Sequence, residues 1–165
     1  MNGFLTEKKY FSNFSSPIGN LIIAANDEYV LSVKFSDNIC EQNENDLCKT
    51  TKEQLEEYFS GKRKSFELPL KLNGTDFQNY VWLSLQKIQF GSLISYEKFS
   101  EMIGSKKKIR AVANANSKNP FVIIIPCHRV IGKNGKLVGY SAGLDKKRWL
   151  IDFELSITKD SLTLF

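Results

Sequence analysis

The chain has 165 residues, 42% hydrophobic and 25% charged, with a formal net charge of +5. This composition excludes a disordered chain, a collagen and a coiled coil, and the length fits one domain or two small ones. Such a chain buries about two thirds of its unfolded surface, so it needs neither disulfide nor metal to fold. Its longest apolar stretches, such as Phe121 to Ile125, fall far short of the roughly 20 residues of a membrane helix, and no membrane partner is expected. The first residues lack the apolar core of a signal peptide. Cys40, Cys48 and Cys127 are odd in number, without a C-x-x-C pair, which predicts free thiols in a reducing cytoplasm.

In chain order, residues 1–36 read as strands. Tyr10 to Phe14 precedes a Ser15-Ser16-Pro17 turn, Leu21 to Ala25 is a short apolar run, and Asn26-Asp27-Glu28 predicts a hairpin turn. Tyr29 to Phe35 alternates, with Tyr29, Leu31, Val33 and Phe35 on one face. Residues 37–45 predict a loop. Leu55, Tyr58 and Phe59 recur at helical spacing and predict a helix over Thr51 to Ser60, ended by Gly61. Ser65 to Leu68 is a candidate strand, and Pro69 to Gly74 is the candidate linker.

The second half reads as helical. Thr75 caps a helix reaching about Ile88, with Phe77, Val81, Leu85 and Ile88 on one stripe and Gly91 as its breaker. Ser95 caps a short helix ending at Gly104. Lys106-Lys107-Lys108 then leads into a second, Ile109 to Asn116. Two short helices about a Gly-containing turn form a helix-turn-helix pattern, one that many helical pairs share. A last helix is predicted over Asp145 to Glu154, with Trp149, Leu150 and Phe153 inward. The fold class expected is α+β: a sheet-and-helix domain over residues 1–73 and a mostly helical one over residues 74–165.

Charge divides along the same line. Residues 1–73 hold nine basic against eleven acidic side chains, net −2, and residues 74–165 hold fourteen against seven, net +7. Within residues 98–148 the balance is twelve against two, net +10 with His128 neutral. A cationic half on a near-neutral partner is the footprint of a polyanion, and its coincidence with the helix pair favours nucleic acid over a merely solvated lysine surface.

The only histidine lies in Ile124-Ile125-Pro126-Cys127-His128-Arg129-Val130-Ile131-Gly132. A thiol beside an imidazole is a candidate activated nucleophile. Neighbouring side chains of a helix or strand point apart, so Cys127 and His128 cooperate only through a bend or a water. A buried cysteine with a satisfied histidine fits these residues equally well. A zinc site would need adjacent Cys127 and His128 on one ion, with Cys40 and Cys48 at a non-standard spacing, so no metal is expected. No phosphate-cradling glycine motif occurs, so no nucleotide cofactor is expected.

Pro126-Cys127-His128-Arg129-Val130 resembles the active-site motif of the O6-alkylguanine-DNA alkyltransferases. Ser95-Tyr96, Arg110-Ala111-Val112, Asn119-Pro120, Gly139-Tyr140-Ser141-Ala142-Gly143-Leu144 and Lys147-Arg148-Trp149-Leu150 stand in that family's order and spacing, over about residues 74–155. The resemblance implies a DNA repair protein acting on double-stranded DNA that contains O6-alkylguanine. Such a protein moves the alkyl group from guanine O6, and from thymine O4, to its own Cys127, once per molecule. It implies a monomer without cofactor or metal, a ribonuclease-H-like first domain and a winged-helix-like second.

The same resemblance assigns residues. His128 is the base acting through a water, and Glu154 orients it, although the residues alone read Glu154 as an exposed carboxylate near a helix end. Tyr96 presses on the target phosphate and donates to the purine. Arg110 fills the space the flipped base leaves. Ala111 and Ala115, with Lys106 and Lys107, belong to the DNA-binding surface, small side chains allowing close approach to the minor groove. Tyr140 and Ser141 line the pocket, the Val130 carbonyl accepts from the exocyclic amine, and Asn119 braces the turn of the cysteine. Ala113 and Ala142 stand where many members have glycine, and Asn114 follows Ala113, which bears on groove fit and pocket width. Two other readings compete: a helix-turn-helix DNA-binding module with an incidental cysteine, and a thiol hydrolase with multiple turnovers.

Overall fold

A computed structural model describes residues 6–163, and its contacts divide the chain into residues 1–72 and 73–165. The first unit is an antiparallel sheet of β1 (Tyr10–Ser16), β2 (Gly19–Ala25) and β3 (Val30–Phe35), in that order. Helix α1 (Asp46–Phe59) packs on it, with Leu21, Ile23, Ala25, Val33, Leu55 and Tyr58 fully buried between them. The turn after β2 is tied by Asn26, whose Oδ1 accepts from the backbone of Glu28 and Tyr29.

Three expectations are corrected here. The β2–β3 register slips between Ala24 and Ala25, which leaves an extra residue on β3. The slip puts Val30 on the buried side with Val33 and leaves Tyr29 39% exposed, so strict alternation fails before it. Helix α1 starts at Asp46 rather than Thr51, because Asn45 caps it by accepting from the Cys48 amide at 3.0 Å. Ser65 to Leu68 is not a strand. Gln54 holds that segment by both faces of its amide on the Glu67 backbone, and Leu70 alone bridges Val30.

The second unit starts with α2 (Asp76–Leu85), where Thr75 and Gln78 form a reciprocal capping box. The helix stops at Leu85, short of Ile88; Lys87 and Ile88 continue it only as tighter i→i+3 turns. At Gly91, φ is +73 and a Cβ would collide with Thr158 Oγ1, so only glycine lets the chain pass there. Strand β4 (Ile94–Ser95) leads into α3 (Tyr96–Met102), capped by Ser95, and α4 (Ile109–Ser117) follows a lysine-rich turn. Strand β5 (Val130–Ile131) pairs in parallel with β4. Helix α5 (Leu144–Thr163) runs nine residues past Glu154, its expected end. Its inward stripe is Lys147, Leu150, Ile151 and Glu154, while Trp149 and Phe153 are half-buried and stack on each other.

The molecule is thus α+β, a small sheet domain followed by a helical part. No described helix is long and apolar enough to cross a membrane.

Candidate active site

Residues Phe121 to Ile125 are all buried yet form no regular element. Ile123 takes φ of 73, a left-handed conformation rare for a β-branched residue and worth about 1–3 kcal/mol of strain. Tight turns from Ile124 to Val122 and from Cys127 to Ile125 bend the chain. Asn119 clamps it: Nδ2 donates to the Ile125 and Phe121 carbonyls at 2.8 and 3.3 Å, and Oδ1 accepts from the Phe121 amide at 2.9 Å.

Cys127, His128 and Arg129 then occupy a single 3₁₀ turn. Three residues per turn aim consecutive side chains about 120° apart. Each meets different neighbours, which is how adjacent residues take different tasks. Cys127 is 3% exposed and is a free thiol. Burial raises its pKa, opposed by the Asn119 hydrogen bond and the Lys147 charge.

His128 is fully buried, with Nε2 2.7 Å from Glu154 Oε1. Arg129 donates to the same carboxylate from Nε at 2.9 Å and from Nη2 at 3.0 Å, and from Nη1 to the Ile88 carbonyl at 2.5 Å. The Gly91 amide adds a bond to Oε2 at 3.0 Å. Burial by itself would raise the Glu154 pKa, but the bonds and charges around it hold it far below the carboxylate range. Burial lowers the pKa of His128, and Arg129 and Lys147 push the same way against Glu154. The pair is therefore an ionised glutamate, neutralised by Arg129, and a neutral imidazole. An ionised acceptor at Nε2 puts the ring hydrogen there and leaves the basic lone pair on Nδ1. Nδ1 has no hydrogen-bond partner among the described residues.

Two tyrosines and a lysine complete the surroundings of the thiol. Tyr96, 7% exposed, accepts from Asn116 Nδ2 at 2.8 Å; burial, then the Cys127 charge, pushes its pKa up to about 12. Tyr140 is buried, its hydroxyl has no partner among the described residues, and burial raises its pKa well above the ordinary value. Lys147 is fully buried, donates to the Val130 and Val138 carbonyls at 2.6 and 2.9 Å, and is pushed down to about 8 by burial. The Val130 carbonyl assigned to the guanine amine is thus already engaged by Lys147, with its second lone pair left over. Ser141 is exposed.

The residues assigned to DNA lie elsewhere. Lys106, Lys107, Arg110 and Ala111 are exposed at the start of α4 and on the turn before it, Lys106 paired with Glu101 at 2.5 Å. Ala115 is a correction: it is 2% exposed on the inner side of α4, and its carbonyl accepts from Trp82 Nε1 at 2.8 Å. The outer side carries Arg110, Ala111 and Asn114 instead. Of the twelve cations in residues 98–148, Arg129 and Lys147 are buried, which leaves ten for the surface.

Sequence reasoning missed Arg129, Lys147 and Asn116. A signal was present for one of them: Lys147 and Glu154 stand with Leu150 and Ile151 at i, i+3, i+4, i+7, so two charged residues occupy an inward stripe. No cluster of three His, Cys, Asp or Glu fit for a metal occurs among the described residues.

A buried Cys-His-Glu system in a helical unit whose surface carries a lysine-rich turn and Arg110, the unit itself preceded in the chain by a sheet domain, defines a nucleic-acid-directed thiol protein. Two family models match the chain: 6-O-methylguanine DNA methyltransferase, ribonuclease-like domain, over residues 9–72, and 6-O-methylguanine DNA methyltransferase, DNA binding domain, over residues 76–156. The methylated-DNA–protein-cysteine methyltransferase of Methanosarcina acetivorans is 42% identical over 88% of this chain and 97% of its own length. The constitutive enzyme of that name from Bacillus subtilis is 38% identical over 88% and 94%. The crystal structure of Mycobacterium tuberculosis O6-methylguanine methyltransferase superposes with a TM-score of 0.85 at 36% identity, covering 96% of this chain and 99% of that one. The M. tuberculosis protein solved in complex with DNA gives 0.81 at 37% identity, over 89% and 93%. The chain belongs to the 6-O-methylguanine DNA methyltransferase family.

Proposed function

We propose that the protein is a methylated-DNA–protein-cysteine methyltransferase that repairs duplex DNA by taking the alkyl group of O6-alkylguanine, and of O4-alkylthymine, onto Cys127 Sγ. The observation that carries this reading is Cys127 in one buried turn with His128, whose Nε2 lies 2.7 Å from Glu154 Oε1. Nδ1 of His128 takes the thiol proton through a water. The thiolate attacks the alkyl carbon in line, the C–S bond forms as the C–O6 bond breaks, and the purine keeps the bonding pair. Tyr96 donates to the purine as that charge develops, and the proton from the thiol is returned to it. The products are guanine and a thioether. A thioether has no carbonyl for water to attack, so one molecule repairs one lesion.

The target atom lies inside a base stack, so the nucleotide is extruded. Arg110 fills the gap, α4 lies in the minor groove with Lys106 and Lys107 on phosphates, and Val130, Tyr140 and Ser141 line the pocket. Six residues separate Arg110 from Asn116 on one rigid helix, about 9 Å along its axis, and Asn116 bonds to the site; this supports a finger coupled to the acceptor. The α3–α4 pair supports a helix-turn-helix in a winged-helix-like domain, and the ribonuclease-like family description supports a ribonuclease-H-like first domain. Division of the chain after Leu72 supports a domain boundary near residues 73 and 74. The protein acts as a cytoplasmic monomer without metal, in keeping with its three free thiols.

Mixed with excess O6-methylguanine duplex, the protein should restore one equivalent of guanine and stop. Release beyond one equivalent would favour the thiol hydrolase and overturn this reading. The finger has a separate test. Free O6-benzylguanine needs no flipping, so Arg110→Ala should keep nearly the normal rate with it. Repair of duplex should fall about 100-fold, since support of an unstacked base is worth a few kcal/mol. An unchanged ratio of duplex to free-base rates would leave Arg110 as a phosphate contact.

A further inference from the structure

Asn116 is 1% exposed near the end of α4 and takes no direct part in the bond changes of alkyl transfer. Its Nδ2 donates to the Tyr96 hydroxyl at 2.8 Å and to the Cys127 carbonyl at 3.4 Å, while Oδ1 has no partner among the described residues. An orphaned buried amide oxygen is costly and rare. Turning the amide over would offer Oδ1 to the tyrosine proton, but would set that oxygen against the carbonyl of Cys127. The carbonyl therefore selects the orientation in which Asn116 is a donor. A hydroxyl that accepts from Asn116 has its own hydrogen left to direct elsewhere. Tyr140 and Cys127 offer that hydrogen no bond, and the Lys147 ammonium lies 5.8 Å over the Tyr96 ring as a cation.

We propose that Asn116 is a positioning residue for alkyl transfer, which fixes the Tyr96 hydroxyl as a hydrogen-bond donor to the leaving purine. This rests on the role given to Tyr96 above. Burial keeps the tyrosine protonated, and the Asn116 bond works against burial by favouring the oxygen's negative form, which makes the hydroxyl a better donor. The same amide ties that donor to the backbone of the nucleophile, so acid and acceptor are held in register.

The test is a double-mutant cycle read as the single-turnover rate on O6-methylguanine duplex at saturating protein. Asn116→Leu keeps the side-chain shape and should slow transfer about tenfold, the worth of one hydrogen bond, with duplex affinity unchanged. In a Tyr96→Phe background the same change should have no further effect. Asn116→Asp, once ionised, can only accept from Tyr96, so above the pH at which its carboxyl ionises it should be at least as slow as Asn116→Leu. Asn116→Ser, too short to reach the hydroxyl, makes the same comparison if the leucine variant does not fold. A normal rate in Asn116→Leu or Asn116→Asp, or an equal loss with and without the Tyr96 hydroxyl, would overturn the proposal. If the wild type leaves Cys127 unalkylated, the alkyltransferase reading itself fails, and this inference with it.

Discussion

Cys127→Ala should accept no alkyl group from either duplex DNA or free O6-benzylguanine, while keeping its affinity for duplex. In the wild type, intact mass after reaction with O6-methylguanine duplex should rise by about 14 Da, the mass of one added methyl carbon with its net hydrogens. Peptide mapping should put that mass on Cys127. Cys48 is the informative control: it is also fully buried, and burial also raises its pKa. It lies in the sheet domain, on α1. What separates the two thiols is the turn of Cys127, with a neutral imidazole next in the chain and Asn119 and Lys147 acting against the burial penalty. Alkylation of Cys48 or Cys40, or a Cys127→Ala variant that still gains mass, would sink the assignment.

Glu154→Gln should slow alkyl transfer about 10²- to 10⁴-fold, the usual worth of a positioned base. The carboxylate does two things that an amide cannot do together. It accepts from His128 Nε2, which leaves the lone pair on Nδ1, and it neutralises buried Arg129. A glutamine can present its N–H to Nε2 instead, which puts the imidazole hydrogen on Nδ1 and removes the base. It also leaves the guanidinium without a counter-charge, at about 3–5 kcal/mol for a buried pair broken on one side. Urea unfolding should therefore show a lowered midpoint alongside the slower transfer.

The same pair sets the pH dependence. His128 has its pKa lowered by burial, so below the ordinary value of 6.5 the unfolded chain binds a proton that the folded one refuses. Stability should then fall as pH drops through 6.5, and fall again below 4.5, where unfolded Glu154 protonates and folded Glu154 does not. The second loss should be smaller in Glu154→Gln. Wild-type stability unchanged between pH 7.5 and 5 would mean that folded His128 takes up its proton as readily as the unfolded chain does.

How much of this was legible beforehand differs by residue, for physical reasons. Thr75 and Ser95 announced α2 and α3 because a cap is a local bond between a side chain and an amide three residues on. Gly91 announced a break for the same kind of reason, a backbone conformation that needs no distant partner. The apolar spacing places α1 late because its first turn, Asp46 to Lys49, lies outside the Leu55-Tyr58-Phe59 stripe and is started by Asn45. Ala111 and Ala115 look equally small in sequence, and only the packing of α4 buries Ala115 and leaves Ala111 outside.

The cationic second half, the Pro-Cys-His-Arg motif and the family that it marks are legible along the chain, since charge and motif are properties of sequence neighbours. The tertiary structure alone decided that Glu154 is buried rather than solvated. It joined that residue to His128, Arg129 and Gly91 across separations of up to 63 residues. It also decided that Lys147 points inward and that Asn116 bonds to Tyr96. These are contacts between distant segments, and each depends on removing charged or polar groups from water. Such removal is costly unless distant segments bring most of the partners within hydrogen-bond reach, and no local spacing encodes that condition.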